Sequence, residues 1–168
     1  MSITTQTLDI AVKDDLVDED NETVLLALGT LTNATAGATS SYALTITDDD
    51  ASPIVAWNPL EADRTTNENQ TGPYDYQVVL IGLTERTVTV PIAVTGSATI
   101  VNDYTIRAGD RPVTFTPGQT VRTVRITLVD DNSNEGNTNE SIVMTLNNPV
   151  NATLGIPTVR RHFINDND

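Results

Sequence analysis

The chain has 168 residues, no cysteine, a single histidine, and 23 acidic against 9 basic side chains, for a formal charge of −14. That balance repels phosphate backbones and anionic lipid headgroups, so neither nucleic acid nor direct membrane insertion is expected. Without cysteine there is no disulfide framework, no thiol chemistry and no cysteine-held zinc.

Taken from the N-terminus, Leu8, Ile10 and Val12 alternate with polar residues as a strand would. The acids Asp14, Asp15, Glu19 and Glu22 come next, then the apolar run Val24 to Leu28, and then the triplet Asp48-Asp49-Asp50. About three strands fit into these fifty residues, and a sheet that small with one apolar face is marginal alone. Either the segment is the end of a larger array or it completes itself on another chain. Ala51-Ser52-Pro53 reads as a junction, because proline resists continuing a sheet ladder. Beyond it, Val78 with Leu80 and Val113 with Phe115 mark short strands. Val88, Val90, Ile92 and Val94 predict one half-buried strand, and Val124-Ile126-Leu128 and Ile142-Met144-Leu146 repeat the same period of two. Gly- and Pro-containing turns separate these runs, and helix signals are nearly absent. The expected fold is all-β, an immunoglobulin-like Greek-key β-sandwich with Trp57 and Phe115 in its core.

The chain also repeats itself. Asn33-Ala34-Thr35-Ala36-Gly37 corresponds to Asn151-Ala152-Thr153-Leu154-Gly155 at an offset of 118, and Glu22 and Asp50 match Glu140 and Asp168 at the same offset. Upstream, Leu8, Ile10 and Val12 match Val124, Ile126 and Leu128 at an offset of 116, which places a two-residue insertion between Glu135 and Glu140. Residues 1–50 therefore read as the C-terminal part of one repeat, and residues 51–168 as a complete second one. The acids recur in register at loop positions: Asp14, Asp15, Glu19, Glu22 and Asp48 to Asp50, then Asp130, Asp131, Glu135, Glu140, Asp166 and Asp168. Clustered carboxylates without histidine or cysteine suit a hard, oxygen-seeking cation, Ca²⁺ above all.

Several landmarks resemble the Calx-beta family, calcium-binding sandwich modules of sodium–calcium exchangers that also recur in bacterial surface proteins. These are Thr95-Gly96-Ser97-Ala98-Thr99 with Asn102-Asp103-Tyr104, the strand entry Val113 to Thr120, Val129-Asp130-Asp131 with Glu135 and Glu140, and the ending Ile164 to Asp168. The resemblance implies calcium ligands at Glu68, Asp103, Asp130, Asp131, Glu135, Glu140, Asp166 and Asp168. In the leading copy it implies Asp14, Asp15, Glu19, Glu22, Asp48, Asp49 and Asp50. Asn167 stands where the family has the middle of three aspartates, which implies fewer or weaker ions in the second copy.

Enzymatic activity is not expected. Glu135 and Glu140 sit in an Asn-Gly-rich loop, too poor in aromatic residues for a sugar platform, and His162 reads as an exposed strand residue. No nucleophile elbow or phosphate loop occurs. The expected function is a calcium-binding structural module of a repetitive extracellular or cell-surface protein, with neighbouring repeats as partners. An adhesive module taking a surface glycan or protein ligand, and a regulatory calcium sensor, stay open as alternatives.

Overall fold

A computed structural model describes residues 4–133 and 139–168. Among the described residues it holds fifteen strands and no helix. In chain order these are β1 (Val17–Asp18), β2 (Glu22–Ala27), β3 (Ser41–Ile46), β4 (Ile54–Trp57), β5 (Arg64–Asn67), β6 (Tyr74–Ile81), β7 (Leu83–Thr84) and β8 (Val88–Val90). They continue with β9 (Ile92–Gly96), β10 (Tyr104–Ile106), β11 (Val113–Phe115), β12 (Val121–Leu128), β13 (Glu140–Leu146), β14 (Thr153–Leu154) and β15 (Val159–Asn165).

One sheet has the order β10-β12-β6-β4-β14 and a second the order β5-β15-β13-β9, with β8 and β11 pairing separately. The period of two decides what faces inward. Val124, Ile126 and Leu128 of β12 and Ile142, Met144 and Leu146 of β13 are each at most 2 % exposed. They meet Trp57, Tyr76, Val78 and Phe115 in one core between the sheets, and Trp57 and Phe115 are fully buried as expected.

The expected single strand over Val88 to Val94 is two. Pro91 has no N–H for a ladder, and the chain changes partners there: β8 pairs with β11 and β9 with β13. Gly96, opposite Ile142, closes β9 at φ 130°, where a Cβ would lie 1.9 Å from the Ser141 carbonyl oxygen. Only glycine allows that approach.

The leading fifty residues contain the hairpin β2–β3, with Glu22 opposite Ile46 and Val24 opposite Leu44. At the 118-residue offset this is the register of β13 with β15, where Glu140 faces Ile164 and Ile142 faces His162. Asn33 and Asn151, equivalent at that offset, both take left-handed backbone, at φ 56° and 59°. Leu8, Ile10 and Val12, expected as a strand, form none and are exposed. Their counterpart β12 hydrogen-bonds to β6 on one side and β10 on the other. Among the described residues no strand pairs with residues 8–12, so their N–H and C=O groups have no ladder partners there.

His162 is also not where it was expected. It is fully buried, because β15 turns Arg160, His162 and Ile164 inward. Its Nδ1 lies 2.7 Å from the Tyr76 hydroxyl and its Nε2 2.7 Å from Thr66 Oγ1. Burial, aided by the Arg64 charge, pulls its pKa down to about 4, so the ring is neutral in the fold.

Candidate metal centre

Two parallel strands build the centre. β15 and β5 run side by side, with Ile164 beside Thr66 and Asn165 beside Asn67. The residues that follow, Asp166 and Glu68, therefore leave the sheet at the same pole. The Glu68 N–H donates to the Asn165 carbonyl at 3.0 Å, and Asn165 Nδ2 donates to Asn67 Oδ1 at 3.1 Å. Asn167, standing at the expected middle aspartate, accepts the Asn69 N–H at 2.8 Å, and the Asp168 N–H donates to Asp166 Oδ1 at 3.0 Å. The asparagine thus ties together the loops that follow β5 and β15.

The result is a convergence of three carboxylates. Glu68, Asp166 and Asp168 each offer an oxygen within 4.8 Å of the others. Glu68 is 2 % exposed, Asp166 half-buried and Asp168 exposed. Gathering negative charge there is unfavourable unless a cation or a proton neutralises it. Three hard oxygens with no imidazole or thiolate among them fit Ca²⁺.

Other expected ligands sit around this pole without joining the set. Glu140 opens β13 opposite Ile164 and is half-buried. Asp103 is 4 % exposed and precedes β10, whose Tyr104 faces Leu128 of β12. Its Oδ2 accepts the Thr99 N–H and, at 2.9 Å, the Thr99 hydroxyl. Those bonds close a turn in which Val101 holds φ 82°, a strained value for a β-branched residue. The Asp103 carbonyl accepts the Val129 N–H at 2.9 Å, which ties this turn to the loop carrying Asp130 and Asp131. Asp130 is exposed, and Asp131 Oδ1 accepts the Ser133 N–H at 2.6 Å. Glu135 and the expected insertion beside it lie outside the described residues.

The leading acids border a groove of about 260 Å³ lined by Asp14, Asp15, Glu19, Asp48, Asp49 and Asp50, together with Lys13 and apolar side chains. Glu22 is exposed at the start of β2. Partial burial, then Asp48, Asp49, Asp15 and Asp14, raise the pKa of Asp50. Partial burial raises that of Glu19 as well, followed by Glu85 and then Asp15, Glu22 and Asp48. The acids that raise Asp50 and Glu19 face one region of space. Among the described residues, however, no three of them come as close as Glu68, Asp166 and Asp168 do.

One feature had no signal in the sequence. The two-residue strand β1 adds in parallel to β7, with Val17 beside Leu83 and Asp18 beside Thr84. Asp18, 1 % exposed, is ion-paired with Arg86, whose Nε donates to Oδ2 at 3.1 Å. It also accepts the Thr84 hydroxyl at 3.0 Å and the Ser52 hydroxyl at 3.3 Å. A strand of two residues carries no periodicity, and Asp18 reads in sequence as one more loop acid.

Comparison with known proteins bears on the family and the fold. The Calx-beta domain family model matches residues 2–50 and 59–168. The chain belongs to the Calx-beta family. No curated protein matches it. Among solved structures, the apo-form Calx CBD1 domain superposes with a TM-score of 0.56 at 24 % identity, covering 70 % of this chain and 100 % of that domain; this supports the fold. CBD12 from CALX1.2 (TM-score 0.56, 26 % identity, 68 % of this chain) and the calcium binding domain CBD12 of CALX1.1 (0.53, 25 %, 68 %) are similar as well. The match covers only 45 % and 44 % of those two chains. As a Calx-beta domain the chain is a binding module, not a catalyst.

Proposed function

We propose that this chain is a calcium-binding structural module made of the C-terminal part of one Calx-beta repeat, residues 1–50, and a complete repeat, residues 51–168. The convergence of Glu68, Asp166 and Asp168 carries the reading. Asp103, Asp130, Asp131 and Glu140 are the further ligands or supports at that pole, and Glu135 is a further candidate ligand by its place in the sequence. Asp14, Asp15, Glu19, Glu22 and Asp48 to Asp50 are the corresponding set in the leading repeat. Calcium supplies positive charge among these gathered carboxylates. The protein's own part is to deliver oxygens from two parallel strand ends and to hold the loop with Asn167 and Asn165.

Because the leading acids lie on the segment that docks through Asp18 onto Arg86, neutralising them also steadies the joint between repeats. Tandem Calx CBD12 structures share this fold at 26 % identity, which favours neighbouring repeats as the immediate partners. A repetitive extracellular or cell-surface protein is the setting we infer, from the internal repeat together with few aromatic residues and no cysteine. The likeness to the calcium binding domain of CALX1.1 also favours a second reading, a regulatory sensor. Thermal melting in calcium and in chelator tests both. Ligand at about 100 times its dissociation constant adds about 2.7 kcal/mol, so the midpoint should rise by several degrees. Small-angle scattering separates the two readings: a structural joint becomes straighter only at constant saturation, whereas a sensor changes shape across signalling concentrations of calcium.

A further inference from the structure

The hairpin β2–β3 is an incomplete copy of a surface that the same chain completes elsewhere. In the second repeat, β9 adds antiparallel to β13 through Met144 and Val94, and β5 adds parallel to β15 through Ile164 and Thr66. The facing sheet then buries Ile142, Met144, Leu146 and Ile164 to 2 % exposure or less. The equivalents at the 118-residue offset are Val24, Leu26, Leu28 and Ile46. They sit in the same register, yet Leu28 is 59 % exposed and the other three are only half-buried. β2 and β3 pair with each other alone among the described residues, so each has an open edge. Beside them Leu8, Leu26, Leu28 and Tyr42 line an apolar groove of about 320 Å³, with Leu8 72 % and Tyr42 64 % exposed. Open edges bordering an apolar face are a template for another chain.

We propose that this face is a docking surface for the leading half of a further Calx-beta repeat, a segment patterned like residues 54–115 of this chain. Such a segment places a strand like β9 on the open edge of β2, a strand like β5 on the open edge of β3, and a sheet like β4–β6 over the apolar groove. Its glutamate equivalent to Glu68 then arrives beside Asp48 and Asp50, as Glu68 does beside Asp166 and Asp168. The docking itself does not depend on calcium. Only this last contact rests on the calcium reading.

The test is a chain in which residues 51–118 are duplicated ahead of Ile3, which follows the internal alignment. In chelator, amide exchange in β2 and β3 should slow about 100-fold or more relative to the original chain, and binding of the dye ANS should fall. A second version carries Trp57→Asp and Val78→Asp in the added copy only, and should lose both effects, which separates docking from mere tethering. Unchanged exchange and dye binding in the first version would overturn the proposal. So would sedimentation showing that the original chain dimerises with the same amides protected, since the occupant would then be a second copy. Protection without any added calcium equivalent would keep the docking and overturn the calcium reading of the leading acids.

Discussion

His162 shows how one inward side chain sets a pH response. Buried between Tyr76 and Thr66, it is neutral in the fold down to about pH 4, whereas an unfolded histidine takes up its proton near pH 6.5. Its contribution to stability is therefore complete above about pH 6.5 and declines as pH falls toward 4. In that window the unfolded state holds about one more proton, a slope of about 1.4 kcal/mol per pH unit. The equivalent position in the leading repeat is Leu44, which suggests the probe. His162→Leu in chelator should lower the midpoint in urea at pH 7 yet flatten the decline between pH 6.5 and 4; an undiminished slope would show that other groups titrate there. Gly96 makes a purely steric statement. With the Ser141 carbonyl 1.9 Å from where a Cβ would stand, Gly96→Ala should destabilise the fold by more than about 1 kcal/mol in denaturant titration.

Between elements, the pairing of β1 with β7 is short in backbone and strong in charge. Asp18 is nearly fully buried, and the bond to Asp18 is the main cause raising the Arg86 pKa. Removing either partner leaves the other uncompensated, which costs more than the pair is worth by itself. Arg86→Ala and Asp18→Asn should each speed amide exchange in residues 17–20. The double variant should show a coupling of about 1–3 kcal/mol, and additive effects would mean that the ion pair does not hold the segment. The β5–β15 pair works differently, because four parallel register contacts align two loops whose acids are nearly a hundred residues apart.

Across the whole molecule, the sandwich was legible where inward positions are apolar. Val124-Ile126-Leu128 and Ile142-Met144-Leu146 announce their strands, and Trp57 and Phe115 their core. Legibility failed where polar side chains take inward positions. Arg160 and His162 face the interior of β15 because partners wait there, Arg160 donating to the Glu61 and Asn58 carbonyls at 2.6 and 2.8 Å; alternation alone turns that strand inside out. It failed again at residues 8–12, whose pattern is that of a strand but which pair with no strand among the described residues. At the candidate metal centre, composition and spacing pointed to Asp166 and Asp168, and the Calx-beta resemblance added Glu68 and Asp103. Neither could separate Glu68, Asp166 and Asp168, which strand pairing brings together, from Asp103, which spends one carboxylate oxygen on the Thr99 turn. Calcium titration calorimetry of the intact chain beside Glu68→Gln addresses the centre itself. Calcium should bind the intact chain, and the variant should lose a binding event or bind about tenfold or more weakly. Identical isotherms, or no heat from either protein, would contradict a calcium centre built on Glu68.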